Sequence, residues 1–229
     1  PKSLPEWWSR MYDRKAKGIS KDTWDGLMSP VTADELRATI RSCGKGKAAG
    51  YDGISIDLIS ILTEDGPAEE NICLKILVWL INQALTQGKT LKSWRKAVIS
   101  MIPKRKEDGS LTNLIREMRP ISVLQEFGKL TSKVLADRLG KILLNSPKIL
   151  SHSQHAFLRD GSIRQCITTL LNVFEDFKDK QAHTQDKTLF FLAYDQVKAY
   201  DSVQAYSIQA SLERFNLPSG FVSFVLSSL

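Results

Sequence analysis

The sequence predicts an α+β fold that is helix-rich, with one β-hairpin and one later strand. Three observations carry that expectation. Helical apolar spacing dominates the first ninety residues, a strand–charged loop–strand pattern follows near 97–124, and helix, apolar strand and helix patterns close the chain. Helices grouped ahead of strands, instead of strictly alternating β and α units, argue against a doubly wound parallel sheet.

The elements follow in order. Residues 1–30 are polar and aromatic (Trp7, Trp8, Trp24) and read as a lead-in linker that Pro30 ends. Thr32-Ala33-Asp34-Glu35 has the form of a capping box, with the Thr32 hydroxyl taking the third amide and Glu35 reaching back. It opens a helix with Leu36 and Ile40 on one face, and the Cys43–Gly50 stretch then reads as a flexible loop. Asp52-Gly53 is a turn signal, followed by a short helical pattern over 56–62. A longer helix is expected over about 69–87, with Ile72, Ile76, Leu80 and Gln83 in register and Gly88 as its stop. Residues 97–102 read as a buried strand closed by Pro103, residues 119–124 as its return strand, and the charged loop between them turns at Asp108-Gly109. A helix over 126–144 repeats Leu130, Val134, Arg138 and Ile142 at intervals of four. Another amphipathic helix covers 163–180, and a polar loop leads into the strand-like apolar run 188–194. Two helical patterns split by Leu217-Pro218 complete the series.

With 229 residues, 42% of them hydrophobic, the chain can bury a core of its own. No stretch approaches the ~18 consecutive apolar residues that cross a bilayer, so no membrane partner is expected. The start lacks both an initiator Met and a signal-peptide layout, and the apolar pattern runs on to Leu229, which reads as an excised or incomplete intracellular chain, cytoplasmic or nuclear. Cys43, Cys73 and Cys166 are odd in number and widely spaced, and read as buried thiols in a reducing compartment. His152 and His155 sit beside no cysteine or carboxylate pair and read as surface or structural residues. Charge is unevenly placed: residues 92–148 hold 13 Lys/Arg against 5 Asp/Glu, a net +8 in a chain whose total is +7. A basic block within a folded, apolar-periodic region is the footprint of a phosphate-rich partner.

Asp195 is the most pointed position. It ends the apolar run, and alternation places Leu189, Phe191, Ala193 and Asp195 on one strand face. A carboxylate at the mouth of a buried strand is costly unless paired or bound to a cation, and two-metal phosphoryl transfer needs such a group. An Asp capping the following turn is the alternative that the residue alone leaves open.

The string from Phe191 to Val203, Phe-Leu-Ala-Tyr-Asp-Gln-Val-Lys-Ala-Tyr-Asp-Ser-Val, resembles motif A of reverse transcriptases. Three further stretches, in the same order as in that family, point to its non-LTR (LINE-like retrotransposon) branch. Lys47-Ala48-Ala49-Gly50-Tyr51-Asp52-Gly53-Ile54 is similar to a Lys-Ala-x-Gly-Pro-Asp-Gly-Ile signature, with Tyr51 in place of Pro. Trp94–Lys104 followed by Arg119–Leu124 resembles the fingers hairpin, continued by Lys129-Leu130 and Lys133–Leu139. Ser153–Ser162 resembles a Gln-x-Gly-Phe stretch along the template path, with Ala156 replacing Gly and Asp160-Gly161 replacing Gly-Arg. Together these cover roughly residues 30–229.

The resemblance implies the fingers and partial palm of a right-hand polymerase. Residues 31–187 would be the fingers, and 188–229 the start of a truncated palm. It implies an RNA-directed DNA polymerase that extends a DNA primer on an RNA template with dNTPs, using two Mg²⁺, with an endonuclease domain upstream in the parent polyprotein. Asp195 is the implied catalytic metal ligand. Tyr200 is the implied gate against a 2′-hydroxyl, and Gln154 and Phe157 lie on the implied template path. Lys104 and Arg119, brought together by the hairpin, would clamp the triphosphate, Arg in bidentate fashion and Lys as a point charge. The later metal-binding carboxylates, the primer grip and the thumb are expected beyond residue 229, so this piece alone is expected to be inactive. Two other readings stay open: a non-catalytic nucleic-acid-binding relic, and an RNA-templated RNA polymerase, whose gate is normally polar and not Tyr.

Overall fold

A computed structural model describes residue 6 and residues 19–146, 149–151, 153–158, 161–181, 188–196 and 199–229, without the side chains of Lys180, Gln181 and Asp201. Trp7, Trp8, Lys148, His152, Asp160, the loop 182–187 and the motif A residues Val197 and Lys198 lie outside the described residues. Eight α-helices are described: α1 (Ala33–Arg41), α2 (Ile56–Glu64), α3 (Ile72–Gln87), α4 (Glu126–Leu144), α5 (Ile163–Gln181), α6 (Ala199–Ser202), α7 (Ala205–Arg214) and α8 (Ser219–Ser228). One antiparallel pair, β1 (Ala97–Ile102) and β2 (Arg119–Leu124), is the only sheet among the described residues. The expected α+β, helix-rich composition with one β-hairpin is what the structure has.

The chain forms two compact units: Pro1–Leu139 with Ala205–Leu229, and Gly140–Gln204. In the first, α1, α2 and α3 pack on one another, and α8 packs on both α3 and α7. Leu27, Leu36 and Leu74 have no exposed surface, and Ile81, Leu130 and Val134 are 1% exposed. Trp24 and Leu27 come from the segment read as a linker. Trp24 is buried and its indole N–H donates to the Phe215 carbonyl at 2.8 Å, while Asn216 donates to the Ile19 carbonyl at 2.8 Å. Residues 19–30 therefore contribute core, because a tryptophan whose N–H finds an acceptor loses little by burial.

Helix α1 starts where the sequence predicts, with the Thr32 half of the capping box formed, Thr32 Oγ1 accepting from the Glu35 amide at 3.2 Å, while the Glu35 carboxylate holds Arg138. Helix α3 starts at an Asn71 cap and ends at Gly88 in the left-handed region, φ 58°. Its buried face differs from the expected one. Leu74, Ile81, Ala84 and Leu85 are buried, whereas Ile72 is 71% and Ile76 58% exposed. The segment is apolar almost all round, so periodicity could not choose the face. Asn82 helps to choose it, its amide exchanging two hydrogen bonds with the Val31 backbone at 2.7 and 3.0 Å.

Two strand expectations need correction. Strand β1 has the predicted bounds but not the predicted burial, since all six residues are exposed and β2 is exposed in five of six positions. Nothing among the described residues covers the two-stranded ribbon closely enough to bury it. The run 188–194, expected as a buried strand, forms no ladder: Phe190 is 83%, Leu192 74% and Tyr194 90% exposed. A strand is defined by its paired neighbour, and no described residue supplies one. The cysteines are free, Cys43 and Cys73 half-buried and Cys166 exposed, so the expectation of burial holds only in part. No described helix is long and apolar enough to cross a membrane.

Candidate nucleotide and nucleic-acid site

The hairpin positions the first group of candidate residues. Register pairs Ile102 with Arg119 and Ala97 with Leu124. Lys104 follows two residues after Ile102, and its carbonyl accepts from the Thr112 amide at 3.0 Å. An isolated bridge, Arg105 with Leu111, carries the pairing toward the tip. There the Asp108 carboxylate accepts from the Ser110 hydroxyl at 2.7 Å and the Ser110 amide at 2.9 Å. Those two bonds, the hydroxyl's first, hold the Asp108 carboxyl below its usual range. Lys104, Arg105, Lys106, Arg116 and Arg119 are all exposed along this ribbon, and none has a carboxylate within ion-pair range among the described residues. Arg119 thus opens β2, and Lys104 lies two residues past the end of β1 on the same hairpin.

Not every cation of the basic block is available. Arg138 Nε and Nη2 hold the Glu35 carboxylate at 2.7 and 2.6 Å, and its Nη1 donates to the carbonyls of Leu27 and Ser29 at 3.2 and 2.5 Å. Its side chain is 12% exposed, so it fastens α4 to α1 and to the segment before it. Lys129 is ion-paired with Glu126 one turn earlier. The sequence held a signal for Arg138: an arginine at an apolar row's four-residue spacing has to bury its head or snorkel.

The Lys47–Ile54 signature forms a tight turn against the base of the ribbon. The Gly53 amide donates to the Gly50 carbonyl at 3.0 Å, and Asp52 accepts from the Ile54 amide at 3.2 Å. A Cβ at Gly50 would lie 2.9 Å from both the Gln125 Cα and the Leu124 carbonyl oxygen, so only glycine lets the turn approach the β2–α4 junction. Alongside, a cleft of ≈ 240 Å³ is lined by Cys43, Lys47, Glu126, Lys129 and Lys133, among others. Burial pushes the Cys43 thiol above its ordinary pKa, against the lowering influence of Lys133.

The second unit holds the remaining candidates. Asp195 is exposed at the end of the extended run, where the sequence placed it at the mouth of a buried strand. The burial expected of it is not found, since no layer among the described residues covers 188–194. The ring of Phe191 lies 6.4 Å from that of Phe174, tilted by 52°, which ties the run to α5. Gln196 donates to the Ser202 hydroxyl at 3.2 Å, and Tyr200 is 83% exposed on the short α6. Gln154 donates to the Ala156 carbonyl at 2.9 Å, and Phe157, at φ 61°, is 92% exposed. At Gly161 a Cβ would collide with the His155 carbonyl oxygen, so this loop excludes any larger side chain there. No group of three His, Cys, Asp or Glu able to hold a metal exists among the described residues. The exposed Asp195 carboxylate suits one ligand position for a hard divalent cation, not a complete site.

Residues 102–228 match the reverse transcriptase (RNA-dependent DNA polymerase) family, a stretch that contains the ribbon's cations, Gln154, Phe157, Asp195 and Tyr200. The chain belongs to that family. It is 27% identical over 219 residues to the transposon TX1 uncharacterized 149 kDa protein of Xenopus laevis, covering 90% of this chain and 15% of that protein. It is 26% identical to the retrovirus-related Pol polyprotein from type-1 retrotransposable element R2 of Nasonia vitripennis, over 93% of this chain and 18% of the relative. The R2 polyprotein of Popillia japonica is 25% identical over 87% of this chain and 24% of its own length. The chain is thus a reverse transcriptase sequence similar to non-LTR retrotransposon proteins, and it spans a quarter or less of these relatives. Enzymes of this family use divalent metal ions.

Proposed function

We propose that this chain supplies the fingers and first palm elements of an RNA-directed DNA polymerase of the LINE-like kind. It would work on an RNA template and a DNA primer with dNTPs. The observation that supports the reading best is a single family match running from the ribbon through Asp195 to residue 228. Residues 31–187 would act as fingers and 188–229 as the beginning of the palm.

In this reading Lys104 and Arg119 bind the triphosphate from the ribbon, and charge-assisted bonds orient its phosphates. Asp195 holds divalent metal, Mg²⁺ being the natural choice for an oxygen-only donor set. Two such ions, when bound, stabilise the attacking and leaving oxygens of an in-line displacement at the α-phosphate. Tyr200 lies under the incoming sugar and leaves no room for a 2′-hydroxyl. Gln154 and Phe157 flank the template. A complete metal site requires carboxylates besides Asp195, so the chain by itself is proposed to be inactive. An upstream endonuclease domain belongs to the same proposal.

The test is primer extension by a polymerase of this family in which the chain replaces the matching segment. Asp195→Asn should reduce extension by at least about a thousandfold, since it removes charge the metals need while hardly changing shape. Tyr200→Ala should keep part of the activity and accept ribonucleotides more readily. If Asp195→Asn extends primers as well as an active unaltered graft, Asp195 is not the metal ligand; if the unaltered graft binds template and primer but extends nothing, the chain is a non-catalytic nucleic-acid-binding module.

A further inference from the structure

We propose that Tyr51 is a stacking platform for one base of a single-stranded nucleic acid, a position that the surrounding turn and cations prepare in advance. This rests on the nucleic-acid-binding reading above and adds a contact to it.

Tyr51 stands at the second position of the Gly50–Gly53 turn, and the residue is 56% exposed. An exposed aromatic on a flexible loop would mean little. Here the turn is closed by its own backbone bond and by Asp52, and Gly50 presses it against the backbone of Leu124 and Gln125. The Lys96 ammonium lies 5.3 Å from the ring centroid, over one face of the ring. A cation–π contact at an exposed site is a weak attraction, but it restrains the ring and places a phosphate-binding charge beside it. Lys92 and Arg95, also exposed, precede Lys96 in the same segment, and Lys47 lies four residues before Tyr51. Aromatic surface interleaved with cations is the arrangement by which proteins hold single strands without reading sequence: the bases stack and the phosphates pair. The turn itself does not need an aromatic. The second position of such a turn favours proline, so the tyrosine adds a ring where the backbone would be at least as well served without one.

The experiment uses the 229-residue chain and a short RNA containing 2-aminopurine, whose fluorescence is quenched by stacking. Tyr51→Phe should bind with the same affinity and quenching. Tyr51→Pro, compatible with the turn, should lose the quenching at the stacked position and bind about 5-fold to 150-fold more weakly. An RNA-length strand with abasic sites throughout should bind the native chain and Tyr51→Pro alike. Tyr51→Ala serves as a second variant, judged with Tyr51→Pro against unchanged circular dichroism. If the native chain binds RNA but Tyr51→Pro and Tyr51→Ala bind and quench as it does, the stacking position is wrong and the broader reading survives. If the native chain binds neither the RNA nor the abasic strand, both fail.

Discussion

Arg138 illustrates how one side chain changes the meaning of a charge count. Its guanidinium serves Glu35 and backbone carbonyls of Leu27 and Ser29 at once, so it closes a junction between α4, α1 and the segment before α1. Arg138→Met keeps the stem's apolar packing but removes the ion pair with Glu35 and the bonds to the Leu27 and Ser29 carbonyls. The expected loss is about 2–4 kcal/mol of unfolding free energy, measured by urea denaturation. Lys104 and Arg119 should behave in the opposite way. Neither has an ion-pair partner among the described residues, so Lys104→Ala and Arg119→Ala should leave stability within about 0.5 kcal/mol. In the grafted polymerase each should raise the dNTP concentration needed for single-nucleotide incorporation by roughly 10-fold to 150-fold, the equivalent of a charge-assisted bond of ~1.5–3 kcal/mol. An unchanged nucleotide dependence with weaker template binding would move both residues to the nucleic-acid path. At this scale motif spacing in the sequence singled out candidate residues. It could not tell a working cation from a structural one, because that depends on partners a hundred residues away.

Among the elements, strand and helix bounds were legible wherever a local signal set them. Ala97–Ile102, Arg119–Leu124 and Glu126–Leu144 are bounded by Pro103, a Gly-containing tip and a change from period two to period four. Burial was less legible, because it depends on what packs over an element. The six exposed residues of β1 and the wrong face chosen for α3 have that common origin. The tip of the ribbon offers a measurement. Asp108 is held as the carboxylate by Ser110, so its folded-state pKa lies below the unfolded one. A depressed acid contributes order that is present above the unfolded pKa and lost as pH falls through the folded one. The Asp108 carboxyl resonance, followed by NMR, should therefore titrate below the ordinary aspartate range, and Ser110→Ala should bring it back up. A normal midpoint in the native chain would mean that the tip is open in solution.

For the whole molecule the question is which charges a polyanion meets. The sequence gives residues 92–148 a net +8, but the structure engages Arg138 with Glu35 and backbone carbonyls and sets Lys129 against Glu126. What remains for phosphate is a smaller, exposed set concentrated on the ribbon and at its entry. Binding of single-stranded RNA should then fall with salt at a log–log slope of roughly −0.7 for each phosphate contacted. Replacing Lys104, Arg105 and Lys106 together by Ala should flatten that slope by about 2 if all three face phosphate. Arg138→Met removes the same kind of charge from the same stretch of sequence, yet it should leave the slope unchanged under conditions where the protein stays folded. Net charge alone predicts a change for either variant, whereas the structure predicts one only for the ribbon. Equal flattening per charge removed would mean that long-range charge governs binding and that the ribbon has no special place in it. No flattening by the triple variant would put the phosphates elsewhere, with Lys96 over the Tyr51 ring, and Lys92 and Arg95 before it in the same segment, the next group to neutralise.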